Sequence, residues 1–443
     1  MHRPSFRSPL PSTRAGGGTL ALPFLGATAA AQADEPCDHC ALEQALAQQV
    51  PAAVTPAPSL RLLDLSLNAR VNAGTSTERD DEIDLLQGGG HDPKQRGFTL
   101  SQLELSGLGA IDPYFEFEAH LVYLLLPEGE SEFELEEVFA RSSALPHGLE
   151  LEAGQYFTEF GLINAQHPHA WDFIDQPVIH SRLFGADGMR GPGARLKWRS
   201  PSTASSELQL GLQDAEGETM PSFRASDEEP LPGGHVAAER EVRSLADFAW
   251  TARWLQSFAL ADRIEGRCGL SGAWGPSGAG SSTRAAIYGG DVEVKWKLAQ
   301  DGASWPFVAF QAEVLRRVWG SSLQALDPDG VPASGDEATV PGDTLRDSGG
   351  YAYLLWGFRR DWMAGLRYEL ARSSGSGLDP RESDPQRDDR QRLSPMVAWH
   401  ATHSTCVRLQ YNRDVADHLR HDRAHSVWLG LEFVLGNHPA HTY

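Results

Sequence analysis

His167 and His169 stand together in "HPHAWDF", with Glu159 upstream and Asp172 and Asp175 just downstream. Imidazole and carboxylate in one short segment can hold a borderline cation such as zinc or copper, or can carry protons. A metal site needs three or four converging ligands, and this pair supplies two. A second pair, His438 and His441 in "NHPAHTY", has no reason in the sequence to meet the first. A metal-capture loop and an ordinary hydrogen-bonded pair of histidines therefore both stay open. No G-x-S-x-G elbow and no evident Ser–His pair accompany them, so the chain reads as a non-enzyme with no cofactor.

The elements that must position these residues alternate with period two from about residue 60 onward. In "YFEFEAHLVY" Phe115, Phe117, Ala119, Leu121 and Tyr123 share one face, while Glu116, Glu118 and His120 share the other. "LELEAGQYF", "DVEVKWKL", "WMAGLRYEL" and "HSVWLGLEFVL" repeat the pattern. Such alternation marks strands with one apolar and one polar face. Short turns such as "RRDW" and "HATHS" alternate with long acidic loops, the habit of transmembrane barrels. A soluble all-β sandwich or propeller is the rival, but no blade repeat is visible and the apolar faces end in Trp and Tyr. The fold expected is an all-β, antiparallel transmembrane barrel of about 16 strands over 59–443.

Before the barrel, residues 1–33 read as a signal peptide, with Arg3, Arg7 and Arg14 ahead of an apolar stretch and Ala31-Gln32-Ala33 as the cleavage site. Residues 34–58 read as a periplasmic segment with one short helix over 41–50 and a Pro/Ala linker. Cys37 and Cys40 in that segment fit a local disulfide, without the extra ligands of a zinc site. Cleavage would leave 35 basic residues against 60 acidic ones, a balance that excludes nucleic acid as a partner. Strand parity turns Cys268 toward lipid and Cys406 toward the lumen, which precludes a bridge between them.

Taking the polar faces as the lumen, Glu104, Glu116, Glu118, His120, Glu134, Glu136, Glu150 and Glu152 line the early strands. Arg253, Lys295, Lys297, Arg367 and Arg408 line the later ones. Opposed charges of this kind screen what passes through a pore, and the acidic excess leads to an expected cation preference. The segment after "GLELEAGQYF" is long for a structureless connection and needs a task. Its expected task is an inward-folded loop around 158–191 that sets the pore width. Gln155, Glu159, Phe160, His167, His169, Trp171, Asp172, Asp175 and Arg182 would stand at the constriction. Glu159, Asp172 and Asp175 are expected to gather there with His167, His169, His180 and Arg182.

The succession "LSQLELSGLGAIDPYFEFEAHL", "ELEEVFA", "GLELEAGQYFTEFGLINAQHPHAWDFIDQP" and "SRLFGADGMRGPGARLKW" resembles the outer-membrane porin superfamily that includes the phosphate-selective porins. The positions matching its loop motif are Gly154, Gln155, Phe160, Gly161, Arg182, Gly188 and Gly191. The resemblance implies a sixteen-stranded barrel in the cell outer membrane, a constriction loop, a homotrimer, and outer-membrane lipid and small polar solutes or ions as partners. Phosphate selectivity in that family rests on arginine and lysine clusters, whereas this chain has 38 basic residues and an acidic first half. "HPHAWDF" and "HPAHTY" are also similar to pieces of outer-membrane proteins labelled zinc-regulated receptors. The function expected is therefore passive diffusion through a porin-like channel, with metal uptake through the His-rich loop as the alternative.

Overall fold

The computed structural model describes residues 63–436, apart from 127–128, 143–144, 201–204, 226–230, 239, 300–304, 327–337 and 376–384. The signal peptide, the helix over 41–50, Cys37, Cys40, His438 and His441 lie outside the described residues. Strands β1 (Asp64–Ser76), β2 (Gly97–Ala110), β3 (Phe115–Leu125), β4 (Ser131–Ser142), β5 (Leu149–Phe157) and β6 (Arg190–Arg199) form the first part of the wall. Then come β7 (Ser206–Gln213), β8 (Ala249–Ala261), β9 (Ile264–Pro276), β10 (Arg284–Lys297) and β11 (Phe307–Gly320). A side hairpin, β12 (Gln324–Leu326) and β13 (Ala338–Val340), precedes β14 (Thr344–Arg359) and β15 (Trp362–Ser374). The wall ends with β16 (Arg390–Thr402), β17 (Thr405–Ala416) and β18 (Arg423–Gly436).

Leaving out the hairpin, sixteen strands close into one antiparallel barrel, sealed where Ser66 faces Gly436 and Ser76 faces Ser426. Closure follows from the solvent. Backbone groups facing hydrocarbon have no water to bond, so each strand must be paired on both edges. One end carries tight turns, such as 262–263 and 360–361, and the other carries the connections 77–96, 158–189 and 214–248. Tight turns are periplasmic in barrels of this kind.

Side-chain alternation sorts the wall. Leu105, Leu121, Leu135, Leu151, Leu270, Leu354, Leu366, Leu409 and Leu429 are exposed on the outside. A face of that size and apolarity is not left to water by a soluble monomer. Trp198, Trp296, Trp356 and Trp399 ring its tight-turn end, and Trp250, Trp274 and Tyr288 the other, as interfacial aromatics do. Cys268 sits on the outer face of β9, while Cys406 is buried on the inner face of β17.

Among the described residues, two short α-helices lie in the long connections: α1 (Asp80–Leu86) over the mouth and α2 (Val178–Phe184) inside it. An apolar cluster within the barrel gathers Phe160, Ile179, Leu183, Phe184, Met220, Phe223, Ile287, Leu315 and Trp319. Full burial of each large side chain is worth about 1.5–3 kcal/mol, which seats the loops against β9–β14. The outer half of the lumen is thus packed on that side. The polar contacts below lie across the rest of it.

Candidate functional site

The local cause of the site is an irregularity in β4. His120 faces Glu137 and the next residue, Leu121, faces Leu135, so Glu136 is an extra residue in a β-bulge. A bulge breaks the period of two and re-aims a side chain. Here it puts two consecutive carboxylates, Glu136 and Glu137, on the lumen side, both buried. The bulge also frees backbone carbonyls, and the Gln155 amide on β5 donates to those of Leu135 and Glu136. Gln155 is therefore a strand residue that completes the wall, not a member of the loop. The loop begins later because β5 stays paired with β6 through Phe157.

Residues 158–189 enter the barrel through a narrow neck. Thr158 N–H donates to Met189 O at 2.9 Å, and the Asn164 amide bonds Thr158 O at 2.7 Å and Met189 O at 3.0 Å. From there the loop crosses the lumen. Phe160 packs against Gly289 on β10, where a Cβ would lie 2.6 Å from its ring. Gly161 N–H donates to Ser271 on β9, and Leu162 N–H to Glu313 on β11. The chain then swings to the opposite wall, where Arg70 on β1 donates to Pro168 O at 3.2 Å. Finally Asp172 accepts from Tyr353 on β14 at 2.7 Å, and Ile174 N–H donates to Gln410 on β17 at 2.8 Å.

At the β2–β4 wall, four imidazoles meet four carboxylates. His167 Nδ1 lies 2.9 Å from Glu136 and its Nε2 2.9 Å from Glu137. His120 Nδ1 lies 2.9 Å from Glu104 and its Nε2 3.1 Å from Glu118. His169 reaches the other oxygen of Glu104 at 2.9 Å, and His91, from the 77–96 connection, reaches Glu136 at 3.2 Å. The His120 and His167 rings stack at 4.1 Å, and His167 and His169 at 5.7 Å. Burial opposes a charge on His167, but Glu104, Glu136 and Glu137 outweigh it and hold its pKa well above the ordinary value.

Elsewhere the loop charges find separate partners. Burial works against ionised Asp175, yet Arg367, Arg392, Gln410 and Asn412 bring its pKa down to about 2. Glu159 lies 3.5 Å from Lys197 and 3.7 Å from Arg195, both on β6. Burial works against its charge as well, but those cations and Arg253 hold its pKa below the usual range. His180 lies 3.1 Å from Glu313, and Arg182 donates to Asp388 O at 2.7 Å. The single gathering of Glu159, Asp172, Asp175, His167, His169, His180 and Arg182 expected from the sequence does not form. The loop is long enough to span the lumen, so His167 and His169 meet at the β2–β4 wall while the other charges are satisfied elsewhere.

Among the wall positions, Glu118, His120, Glu134, Glu136, Glu150, Glu152, Lys295, Lys297, Arg367 and Arg408 occupy the inner parity of their strands, and Glu116 sits at the periplasmic rim of β3. Glu152 is fully buried between Arg141 at 2.7 Å, Lys197 at 3.2 Å and Arg195. The lumen also holds Arg70, Arg190, Arg195, Arg317, Arg390 and Arg392, which the sequence reading left out. Alternation within "GPGARLKW" and "RQRLSPM" is the available signal for three of them, Arg195, Arg390 and Arg392. Toward the mouth, a cleft of about 410 Å³ is lined by Lys94, Arg182, Arg317, Arg387, Arg390 and Asp84, among others.

Among the described residues, two sets of side chains bring three ligand atoms within 4.8 Å of one another: Glu104, His120 and His167, and Glu118, His120 and Glu137. Glu137 was not singled out in the sequence, although the doublet "EE" inside an alternating strand marks a bulge.

No family model matches the chain. An uncharacterized protein of Aquifex aeolicus (strain VF5) is 26% identical over 401 residues, covering 86% of this chain and 79% of that protein. Among solved structures, the outer membrane channel DcaP of Acinetobacter baumannii aligns with 84% of this chain and 97% of its own, at a TM-score of 0.52 and 11% identity. The high-pH structure of Pseudomonas putida OprB covers 84% and 94% at a TM-score of 0.49 and 10% identity. The fold is that of a closed sixteen-stranded porin-like barrel, and its place is the cell outer membrane.

Proposed function

We propose that the protein is a narrow, water-filled channel for passive diffusion of small polar solutes or ions, with residues 158–189 restricting its width. The single observation that carries this reading is the loop's path across a charged, inward-polar lumen, bonded to the walls on both sides. The shared fold with a protein described as an outer membrane channel supports it. A weak cation preference is part of the proposal. It is supported by 60 acidic residues against 38 basic ones, and by pairs in which the carboxylate is the wetter partner. Glu159 is 30% exposed beside Arg195 at 6%, and Glu150 is 19% exposed beside Lys197 at 8%. A homotrimer, implied by the resemblance, is checked by the mass of the detergent-solubilised particle.

The test is reconstitution in planar bilayers. Stepwise currents of small unit conductance are expected, growing when residues 165–187 are replaced by a short glycine-rich link. A reversal potential of the sign for potassium over chloride is expected under a KCl gradient. Absence of steps from both proteins, in samples shown to be folded, ends the channel reading. A second reading, uptake of a metal such as zinc, is favoured by the convergence of Glu104, His120 and His167. Zinc flux into proteoliposomes, compared with magnesium flux, tests it.

A further inference from the structure

The knot of side chains between the loop and β2–β4 has a geometry that simple charge pairing does not require. Tetrahedral zinc with nitrogen and oxygen ligands sets its ligand atoms roughly 3.3 Å apart. Glu104 Oε1 lies 2.9 Å from His120 Nδ1 and 3.7 Å from His167 Nδ1, distances on either side of that separation. Each ligand also has a fixed partner behind it. His120 Nε2 faces Glu118 at 3.1 Å, His167 Nε2 faces Glu137 at 2.9 Å, and the second oxygen of Glu104 faces His169 at 2.9 Å. A carboxylate behind a metal-bound imidazole fixes its tautomer and raises its basicity. Glu104 is 0% exposed, and His120 and His167 are each 11% exposed.

We propose that Glu104, His120 and His167 form a binding site for one divalent transition-metal ion of the zinc or copper class, joining the inward loop to β2 and β3. The ion takes one oxygen from Glu104 and Nδ1 from each imidazole, replacing the proton that His167 Nδ1 shares with Glu136 at 2.9 Å. Four buried or half-buried carboxylates, Glu104, Glu118, Glu136 and Glu137, call for positive charge, which protons on the imidazoles or a metal can supply. Metal binding displaces those protons, so affinity falls as the pH is lowered. The second set, Glu118, His120 and Glu137, shares His120 but offers one imidazole instead of two, and Glu118 is 25% exposed. The two-imidazole set suits zinc or copper better. The site deepens the metal-uptake reading without depending on it, because an ion that only fastens the loop binds without being transported.

Binding and transport are separated by titrating the untagged, full-length, chelator-stripped protein in detergent with zinc chloride alone, followed by calorimetry. One zinc per chain, with micromolar or tighter affinity that weakens at least tenfold between pH 7.5 and pH 5.5, is the expected result. His120→Gln and His167→Gln should each weaken binding at least tenfold, and His425→Gln at the rim of the barrel should not change it. Heat-modifiable gel mobility confirms that each variant is folded, and X-ray absorption of the zinc-loaded wild type should show two imidazoles. Binding no tighter than millimolar, or affinity unchanged in folded His120→Gln and His167→Gln, overturns the site. Loss of binding in Glu137→Gln with none in His167→Gln also overturns it, in favour of the second set. Zinc binding without zinc flux retains the site and removes only the uptake reading.

Discussion

Arg392 on β16 holds Asp175 of the inward loop at 3.1 Å with one nitrogen and Asp414 of β17 at 2.6 Å with another. One guanidinium thus ties the loop to two strands. Arg367 on β15 pairs with the same Asp175, and Gln410 and Asn412 complete its shell at 2.7 and 2.6 Å. Asp175→Asn removes the anion these two buried guanidinium groups share, but Arg367 keeps Glu369 at 2.7 Å and Arg392 keeps Asp414, so the loss stays below the ~3–5 kcal/mol of a buried charge left unpaired. The barrel wall keeps its own hydrogen bonds, so the expected result is a folded protein with a loosely held loop. Single-channel records should show larger and noisier currents than wild type. Currents of wild-type size and noise would show that this anchor does not position the loop.

The two loop anchors respond to opposite ends of the pH scale. His167 has a pKa raised above its ordinary 6.5, so its ionic hold on Glu104, Glu136 and Glu137 is complete below about pH 6.5. That hold fades as the pH climbs through the raised value. Asp175 has its pKa lowered from 3.8 to about 2, so its contribution is complete above 3.8 and is lost as the pH falls toward 2. With chelator present, conductance should therefore be lowest between about pH 4 and pH 6.5, where both anchors are complete, and rise on both sides. His167→Gln should remove the alkaline rise and leave the acid one. A conductance that stays flat with pH in the wild type would count against both anchors.

The barrel was legible because lipid and water on two sides of one wall impose a period of two, and that period can be read in any strand. Parity alone puts Glu118, His120, Glu152, Arg367 and Arg408 on the inner face, where their strands carry them. Parity fails where the period breaks. The β4 bulge brings Glu137 inward beside Glu136, and a reader who alternates strictly would turn it toward lipid. His91 was invisible for another reason: it lies in the 77–96 connection and meets Glu136 only through tertiary folding. The same limit hid the partners of Asp175, which come from three strands more than 190 residues away.

Gly154 tests the wall behind the bulge. Its φ of +141° suits glycine, and a Cβ there would lie 2.2 Å from Val138 O and 2.6 Å from the Phe139 Cα. Backbone strain of this kind costs about 1–3 kcal/mol, before the clash is counted. Gly97 also has a positive φ, +101°, but no atom lies within 4 Å of its added Cβ. Gly154→Ala should therefore lower the temperature at which the folded gel band disappears by more than Gly97→Ala does. Equal shifts would mean that the β4–β5 contact yields easily and that glycine is needed there for φ alone.

Ion selectivity turns on Glu152. Its carboxylate is buried among Arg141, Arg195 and Lys197, while Glu150 and Glu159 nearby are wetter and reach the same cations at 3.5–3.7 Å. Glu152→Gln removes one of four carboxylates around these three cations, leaving Glu118, Glu150 and Glu159 to balance them. The local negative excess is then lost, and potassium loses part of its advantage over chloride. Glu150→Gln removes a charge that water already screens in part, so its effect should be smaller and should shrink further in high salt. Reversal potentials under a KCl gradient measure both. The expected order is wild type, then Glu150→Gln, then Glu152→Gln, moving toward chloride. Identical potentials in all three would place the conducting path away from β5 and β6, on the side of Glu293 and Lys295.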